Sequence, residues 1–258
     1  MQYLRIGIVG AGNLGSHLAK AAEEAGHQVV VVYSRTAANA EALAAALFDA
    51  VPTDVPDLTD FELDIALACV TDDALPALAE TIRLPEGCLL AHSSGSRALA
   101  EISAYPGPKA VFYPLQTFSR QKPVRFEGVP LCIEADSEEA EELVYALAIS
   151  LSKEIFWMSH PQRLAVHVAA VFACNFTNHM LALANQIAEG EAIQFKLLRP
   201  LIKETVEKAL IMGPEAAQTG PAIRGDEATM ALHKRYLGDH IDLHRLYELI
   251  SRSIQENG

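Results

Sequence analysis

Through the first part of the chain, short apolar runs alternate with stretches of helical spacing. Residues 6–9 and 28–33 (Gln28-Val29-Val30-Val31-Val32-Tyr33) are nearly continuous apolar runs of strand length. Runs of this kind, without polar alternation, predict strands buried on both faces of a parallel sheet. An Ala-rich stretch over 37–47 predicts a helix, 48–51 a short strand and 52–60 a Pro/Asp-rich connection. A buried strand over 65–70 and a helix over 74–82 come next. Further strands are predicted over 88–92, 110–113, 129–134 and 154–158, with an acidic helix over 137–152 between the last two. Alternating elements joined by short loops imply an α/β fold, a doubly wound and mostly parallel sheet.

The pattern changes at Ser159-His160-Pro161, where a Ser N-cap and a proline in the first turn signal a helix start. Beyond it the apolar spacing is helical. It predicts a long helix over 162–189, a second over 193–212, and two shorter ones after Gly225 and Asp239. The expected division is a Rossmann-like domain over 1–158 and an all-helical C-terminal domain over 159–258. Between Leu164 and Leu183 the long helix is apolar nearly all round, so it must be covered on several faces. About 100 residues of helical domain supply little cover, and a homodimer through the helical domain is the economical solution.

The first strand runs into Gly10-x-Gly12-x-x-Gly15, and a helix-forming run comes directly after it. In strand–turn–helix context this spacing is the dinucleotide-binding fingerprint. Gly10 permits the tight turn, Gly12 lets backbone approach a pyrophosphate, and Gly15 lets the helix pack close to the strand. The helix N-terminus offers free N–H groups to the phosphates. Ala11, Asn13 and Leu14 complete the loop. NAD and FAD sites usually place an acid about 20 residues past the glycines. Here the second strand ends in Ser34-Arg35-Thr36, and no acid stands between Gly26 and Glu41. Arg35 can hold a 2′-phosphate that a carboxylate would repel, with Ser34 and Thr36 assisting. The reading is NADP, and the missing acid also counts against S-adenosylmethionine. A solvated loop arginine is the plainer alternative.

Half of the 258 residues are hydrophobic, ample for a core. The net charge of −13 argues against nucleic-acid and anionic-membrane partners. Cys69, Cys88, Cys132 and Cys174 form no CxxC pair, so neither a metal site nor a disulfide framework is expected, and they read as buried hydrophobes in a reducing compartment. No leader segment and no apolar run long enough for a bilayer are read, which gives an expectation of a cytoplasmic protein.

Ligands of open α/β sheets sit beyond the carboxyl ends of the strands. That rim should carry Val70, Thr71 and Asp73 near a nicotinamide ribose, although Asp72 or Asp73 could equally cap the next helix. His92-Ser93-Ser94-Gly95 comes after a buried strand. There Ser93 is assigned to the cofactor, and Ser94 and Gly95 to a substrate, against a plain serine-stabilised turn. Tyr113 and Gln116 join them. In the long helix His167, Asn175 and Asn178 interrupt apolar residues. At about 100° per residue His167 and Asn178 share a face, and Asn175 lies roughly 80° away. Such buried polar groups need partners, in a site or at an interface. Thr219 and Arg224, in a Gly-Pro turn before the N-cap Asp226, could bind a substrate carboxylate. His17, His27, His240 and His244 read as surface residues.

Together these motifs, with Ala169-Ala170-Val171-Phe172-Ala173-Cys174-Asn175 and Thr219-Gly220-Pro221-x-x-Arg224-Gly225-Asp226, carry a resemblance. The chain resembles bacterial NADP oxidoreductases that join a Rossmann-like domain to a helical domain of uncharacterised function. It is more distantly similar to pyrroline-5-carboxylate reductases, deazaflavin-dependent NADP reductases and β-hydroxyacid dehydrogenases. The resemblance implies an NADP-dependent dehydrogenase or reductase, active between its domains and dimeric. The helix lysine of the β-hydroxyacid dehydrogenases is missing: upstream of Asn175 stand Val171 and His167.

The resulting expectation is hydride transfer between NADP(H) and a small C=O or C=N substrate. His167 or His92 would shuttle the proton, since imidazole titrates near neutral pH, and Asn175 would orient the reacting group. A non-catalytic NADP-binding sensor or scaffold is the alternative from another class, and a flavin or deazaflavin hydride partner is a third.

Overall fold

The apolar runs become the strands of one eight-stranded sheet of order β3-β2-β1-β4-β5-β6-β7-β8. The computed structural model of the chain describes residues 3–119 and 121–257. The strands are β1 (Arg5–Val9), β2 (Gln28–Tyr33), β3 (Val51–Thr53), β4 (Ile65–Ala68), β5 (Leu89–His92), β6 (Lys109–Pro114), β7 (Leu131–Ala135) and β8 (Ile155–Trp157). All neighbours pair in parallel except β6 and β7. The mostly parallel, doubly wound reading therefore holds, with one antiparallel pair that the apolar pattern does not announce. The short third strand forms three residues later than read, because 45–50 continue the preceding helix into turns.

Burial explains the continuous apolar runs. Every residue of β4 and β5 is buried, so both sheet faces need cover. Helices α1 (Asn13–Glu24), α2 (Ala37–Ala44) and α4 (Glu138–Leu151) share one apolar cluster with the strands. The opposite face packs on α3 (Leu75–Thr81). The α4 start is as read, with Ser137 Oγ accepting from Ala140 N.

The chain forms two compact units, 1–176 and 177–258. The first includes α5 (His160–Ala170) and a π-helical turn, Val171–Phe176. The second holds α6 (Thr177–Gly190), α7 (Arg199–Met212), α8 (Pro214–Ala217), α9 (Glu227–Leu237) and α10 (Ile241–Asn257). The last helix, read as short, has 17 residues, and α8 is not signalled by apolar spacing. By length and composition the helical run His160–Gly190 would suffice to cross a membrane. This corrects the reading that no apolar run is long enough: His167, Asn175 and Asn178 interrupt the run but leave its mean hydropathy at 1.3.

Two histidines are built in neutral. His27, read as a surface residue, is 6% exposed. Its Nδ1 accepts from Leu4 N (3.2 Å), and its Nε2 lies 2.7 Å from Ser150 Oγ. Burial pushes its pKa down. His92 is fully buried, and its Nδ1 accepts from Ser94 N at 3.2 Å. Burial, reinforced by the Arg163 charge, lowers it to about 4. In the unfolded chain these rings take up protons near pH 6.5; in the folded chain they do so only at lower pH. Their stabilising effect is thus complete above about pH 6.5 and declines as pH falls toward the folded value. For His92 a drop to about 4 corresponds to on the order of 3 kcal/mol. Thermal melts from pH 8 to 4.5 are expected to be flat above neutrality and to fall steadily below pH 6.5. A melting temperature unchanged down to pH 4.5 would contradict this account.

Candidate functional site

The glycine turn comes directly after β1. Gly10 holds φ +111°, and a Cβ there would lie 2.6 Å from Cys69 O. A Cβ on Gly15 would lie 2.0 Å from Gly10 O, so strand end and helix start touch backbone to backbone. Gly12 is different: an added Cβ meets nothing within 4 Å. It opens onto free space at the N-cap of α1, whose first turn has no side-chain cap and no acidic residue. Uncapped N–H groups beside an open approach are what an anion requires, so the turn fits a dinucleotide pyrophosphate. Asn13 Nδ2 donates to Phe118 O (3.3 Å), which ties the β6–β7 connection to the start of α1.

At the end of β2, Ser34 is half-buried, and Arg35 and Thr36 are exposed. Among the described residues Arg35 has no salt-bridge partner. Its guanidinium is thus available to a phosphate. Ser34 Oγ accepts from Thr36 N at 3.4 Å, which bends the loop.

The rim continues from β4 to β5 to β6. Ser93 N donates to Ala68 O (3.2 Å), and Ser93 Oγ lies 3.9 Å from Cys69 Sγ. The serine loop therefore flanks the residue against which Gly10 and Gly15 pack. Ser94 is buried, and its Oγ accepts from Ser96 N and Arg97 N (3.2 and 3.0 Å). Its hydroxyl is spent on the turn, as is the Nδ1 of His92. Ser96 Oγ donates to Asp72 Oδ2 (2.6 Å), and Arg97 pairs with Asp73. Neither aspartate caps a helix, because each is drawn to the serine loop instead.

Beyond this loop stands a pair that sequence spacing does not join. Tyr113 Oη lies 3.0 Å from His167 Nδ1, the two rings edge to face. Both are half-buried. They meet over Gly95, where a Cβ would come within 2.6 Å of Tyr113 Cζ and 2.7 Å of His167 Nδ1. Burial pushes the Tyr113 phenol up to about 12, so it stays protonated. A protonated phenol against an imidazole can hand over one proton and be resupplied.

Other candidates are engaged, buried or exposed elsewhere in their own units. His92 is buried under the loop it shapes, and Val70 and exposed Thr71 lie just past the end of β4. Gln116 is exposed, its Oε1 accepting from Thr117 N (2.8 Å). Asn175 is exposed within the π-helical turn, whose i→i+5 bonding breaks the 100° spacing used to place it. Thr219 lines an apolar cavity of about 740 Å³ in the second unit with Met180, Leu183, Leu237 and Tyr247. Arg224 is exposed. Asp226 accepts from Thr229 N (3.0 Å), the expected N-cap. Among the described residues no His/Cys/Asp/Glu cluster could hold a metal. Cys88 and Cys132 are buried as read, whereas Cys174 is exposed.

Sequence reasoning missed His160, Arg163, Glu134 and Arg97. His160 Nε2 lies 3.0 Å from Ser96 O, and Arg163 Nη2 donates to Arg97 O at 2.7 Å. Arg163 Nη1 is also paired with Glu134. One signal was present: between Glu154 and Glu189 the chain carries a single Asp, Glu, Lys or Arg, and it is Arg163.

A family model described as NADP oxidoreductase, coenzyme F420-dependent, matches residues 5–90, and a domain of unknown function, DUF2520, matches 129–254. A solved structure from Bacteroides fragilis, assigned as an NADP oxidoreductase, is 38% identical, covers 98% of each chain and has a TM-score of 0.88. The reductive aminase of Aspergillus terreus, solved with NADPH and ethyl-5-oxohexanoate, is 16% identical over 99% of this chain and 96% of its own, with TM-score 0.69. Pyrroline-5-carboxylate reductase of Streptococcus pyogenes is 13% identical over 98% and 99%, with TM-score 0.62. At such identities these two show the fold alone. No curated protein matches the chain. With a near-complete relative above 30% identity and a nucleotide cradle intact, the chain belongs to the family of NADP oxidoreductases that join the F420-dependent type of oxidoreductase domain to DUF2520.

Proposed function

We propose that the protein uses NADP(H) to reduce, or form, a small C=O or C=N group, with Tyr113 and His167 handling the proton. The observation that carries this reading is the 3.0 Å contact between Tyr113 Oη and His167 Nδ1 over Gly95. The pair stands on the strand rim that also bears the glycine cradle. When bound, the cofactor supplies the hydride. Gly10–Gly15 and the uncapped start of α1 would hold its pyrophosphate, and Ser34, Arg35 and Thr36 its 2′-phosphate.

In the reductive direction the substrate heteroatom gains a proton from the Tyr113 hydroxyl, and His167 Nδ1–H returns one to the phenolic oxygen as Nε2 takes up a proton from water, so that the imidazole ends neutral. Burial favours this order, because it keeps the phenol neutral until the heteroatom acquires electron density. A non-catalytic nucleotide sensor would need no such pair. The reading extends to a cytoplasmic homodimer through the helical unit, supported by the apolar Leu201, Leu210 and Ile211, each more than 60% exposed. Light scattering on the pure protein tests the dimer, which a monomeric mass would exclude.

Cofactor choice is tested by fluorescence titration with NADPH and NADH. Arg35→Ala is expected to weaken NADPH about tenfold or more and to leave NADH unchanged, since a charge-assisted contact contributes about 1.5–3 kcal/mol. Equal weakening of both nucleotides would remove the 2′-phosphate assignment. For the chemistry, cyclic imines and small oxo acids are screened by NADPH consumption. Tyr113→Phe and His167→Ala should then each lower kcat on the best substrate by roughly 10²–10⁴-fold with NADPH affinity intact. Wild-type turnover in both variants would end the proton-transfer assignment. Gly95→Ala should fold, bind NADPH and lose turnover, because its methyl group would force the two rings apart. Full activity in Gly95→Ala would show that their contact is dispensable.

A further inference from the structure

We infer that Arg163 is a positioning residue for the Tyr113–His167 pair, the polar pin that fixes α5 against the sheet. This rests on the proton-transfer reading above and adds how that pair is held. Arg163 is fully buried and is the single buried residue of α5. Leu164 and Val168, which would dock an ordinary amphipathic helix, are 38% and 48% exposed. The one fully buried contact of α5 is thus polar, beside the half-buried Val166 and Ala170.

Those bonds tie α5 to the loop of Gly95 and to β7, the strand paired with the one that carries Tyr113. Arg163 Nη2 donates to Arg97 O (2.7 Å), two residues beyond Gly95. Nη1 is held by the Glu134 carboxylate on β7. In the β6–β7 register Glu134 faces Val111 and Cys132 faces Tyr113, so this carboxylate stands on the ladder that orients Tyr113. His167 lies four residues after Arg163, one turn along the same helix face. His160 adds a second tie to the loop through Ser96 O (3.0 Å). A guanidinium suits this role because its planar fork serves a carboxylate and a carbonyl at fixed angles, which an ammonium does not reproduce. Arg163 Nε has no acceptor among the described residues.

The test reads the ring contact directly and requires no substrate. In histidine-labelled protein, the His167 Cε1–Hε1 NMR resonance is assigned by its loss in His167→Gln. Tyr113→Phe is expected to shift this resonance in the wild-type background and to leave it unmoved in Arg163→Met, with NADPH titration unchanged. Arg163→Lys should restore part of the response. An equal shift in both backgrounds would overturn the positioning role. On the substrate found by screening, Arg163→Met should lower kcat about a hundredfold at unchanged KM for NADPH, the scale of a 1 Å misplacement. If Arg163→Met does not fold, Glu134→Gln carries the same measurements, with a smaller loss in the same direction; no loss there overturns the proposal. A ring response that depends on Arg163, without any effect of Tyr113→Phe on turnover, would keep the pin and refute the proton-transfer reading instead.

Discussion

The contact between the carbonyl of Gly10 and the backbone of Gly15 governs the geometry of the sheet's carboxyl rim. With only 2.0 Å between that oxygen and the place a Cβ would occupy, no other residue type fits at Gly15 without moving strand or helix. The same turn brings Gly10 against the backbone of Cys69, so β1, α1 and the end of β4 are locked together. The serine loop then has a fixed wall to lean on through Ser93, and the ring pair stands beyond that loop over Gly95. Gly12 alone faces open space, which is why the turn can be tight and still leave an anion a path to the helix start.

Polar groups do the fine positioning along this rim. His92 and Ser94 are both buried and both aimed at backbone N–H groups of their own loop. Asp72 and Asp73 reach across from the neighbouring loop to Ser96 and Arg97. Each of these residues looks chemically able when read as a sequence, yet a hydroxyl or imidazole already engaged with backbone has little left for a substrate. Tyr113 and His167 differ because they are half-buried and partnered with each other. Depression of the His92 pKa to about 4 belongs to this structural group. Perturbed titration marks functional sites only when the group can also be reached.

The sheet was legible because its signals are local. Uninterrupted apolar runs at 29–33 and 65–68 favour double-sided burial, and the glycine spacing dictates the tight turn and helix start after the first strand. The antiparallel β7 was not legible, since strand direction leaves no mark in a short apolar run. The Tyr113–His167 contact was half legible: both residues stood out, but they are 54 positions apart and only the fold joins them. Spacing failed outright at Asn175, because the π-helical turn at 171–176 removes the regular rotation on which the prediction relied. His27 failed for the opposite reason. Nothing near it in sequence reveals that Leu4 N and Ser150 Oγ will supply partners for both ring nitrogens.

The charge balance near the ring pair bears on the acid in the proposed proton transfer. Both nearby guanidiniums are committed, Arg97 to Asp73 and Arg163 to Glu134. Burial, with Cys132 and the Asp72 charge adding to it, holds the Tyr113 phenol in its protonated form. The Asp72 charge would hold the proton of any acid placed here, and the phenol keeps its own across the physiological range. The helix position four residues before Asn175 is Val171, so no lysine enters from that side. Under the proposed proton-transfer reading, the donor that these surroundings keep protonated is the half-buried tyrosine beside His167.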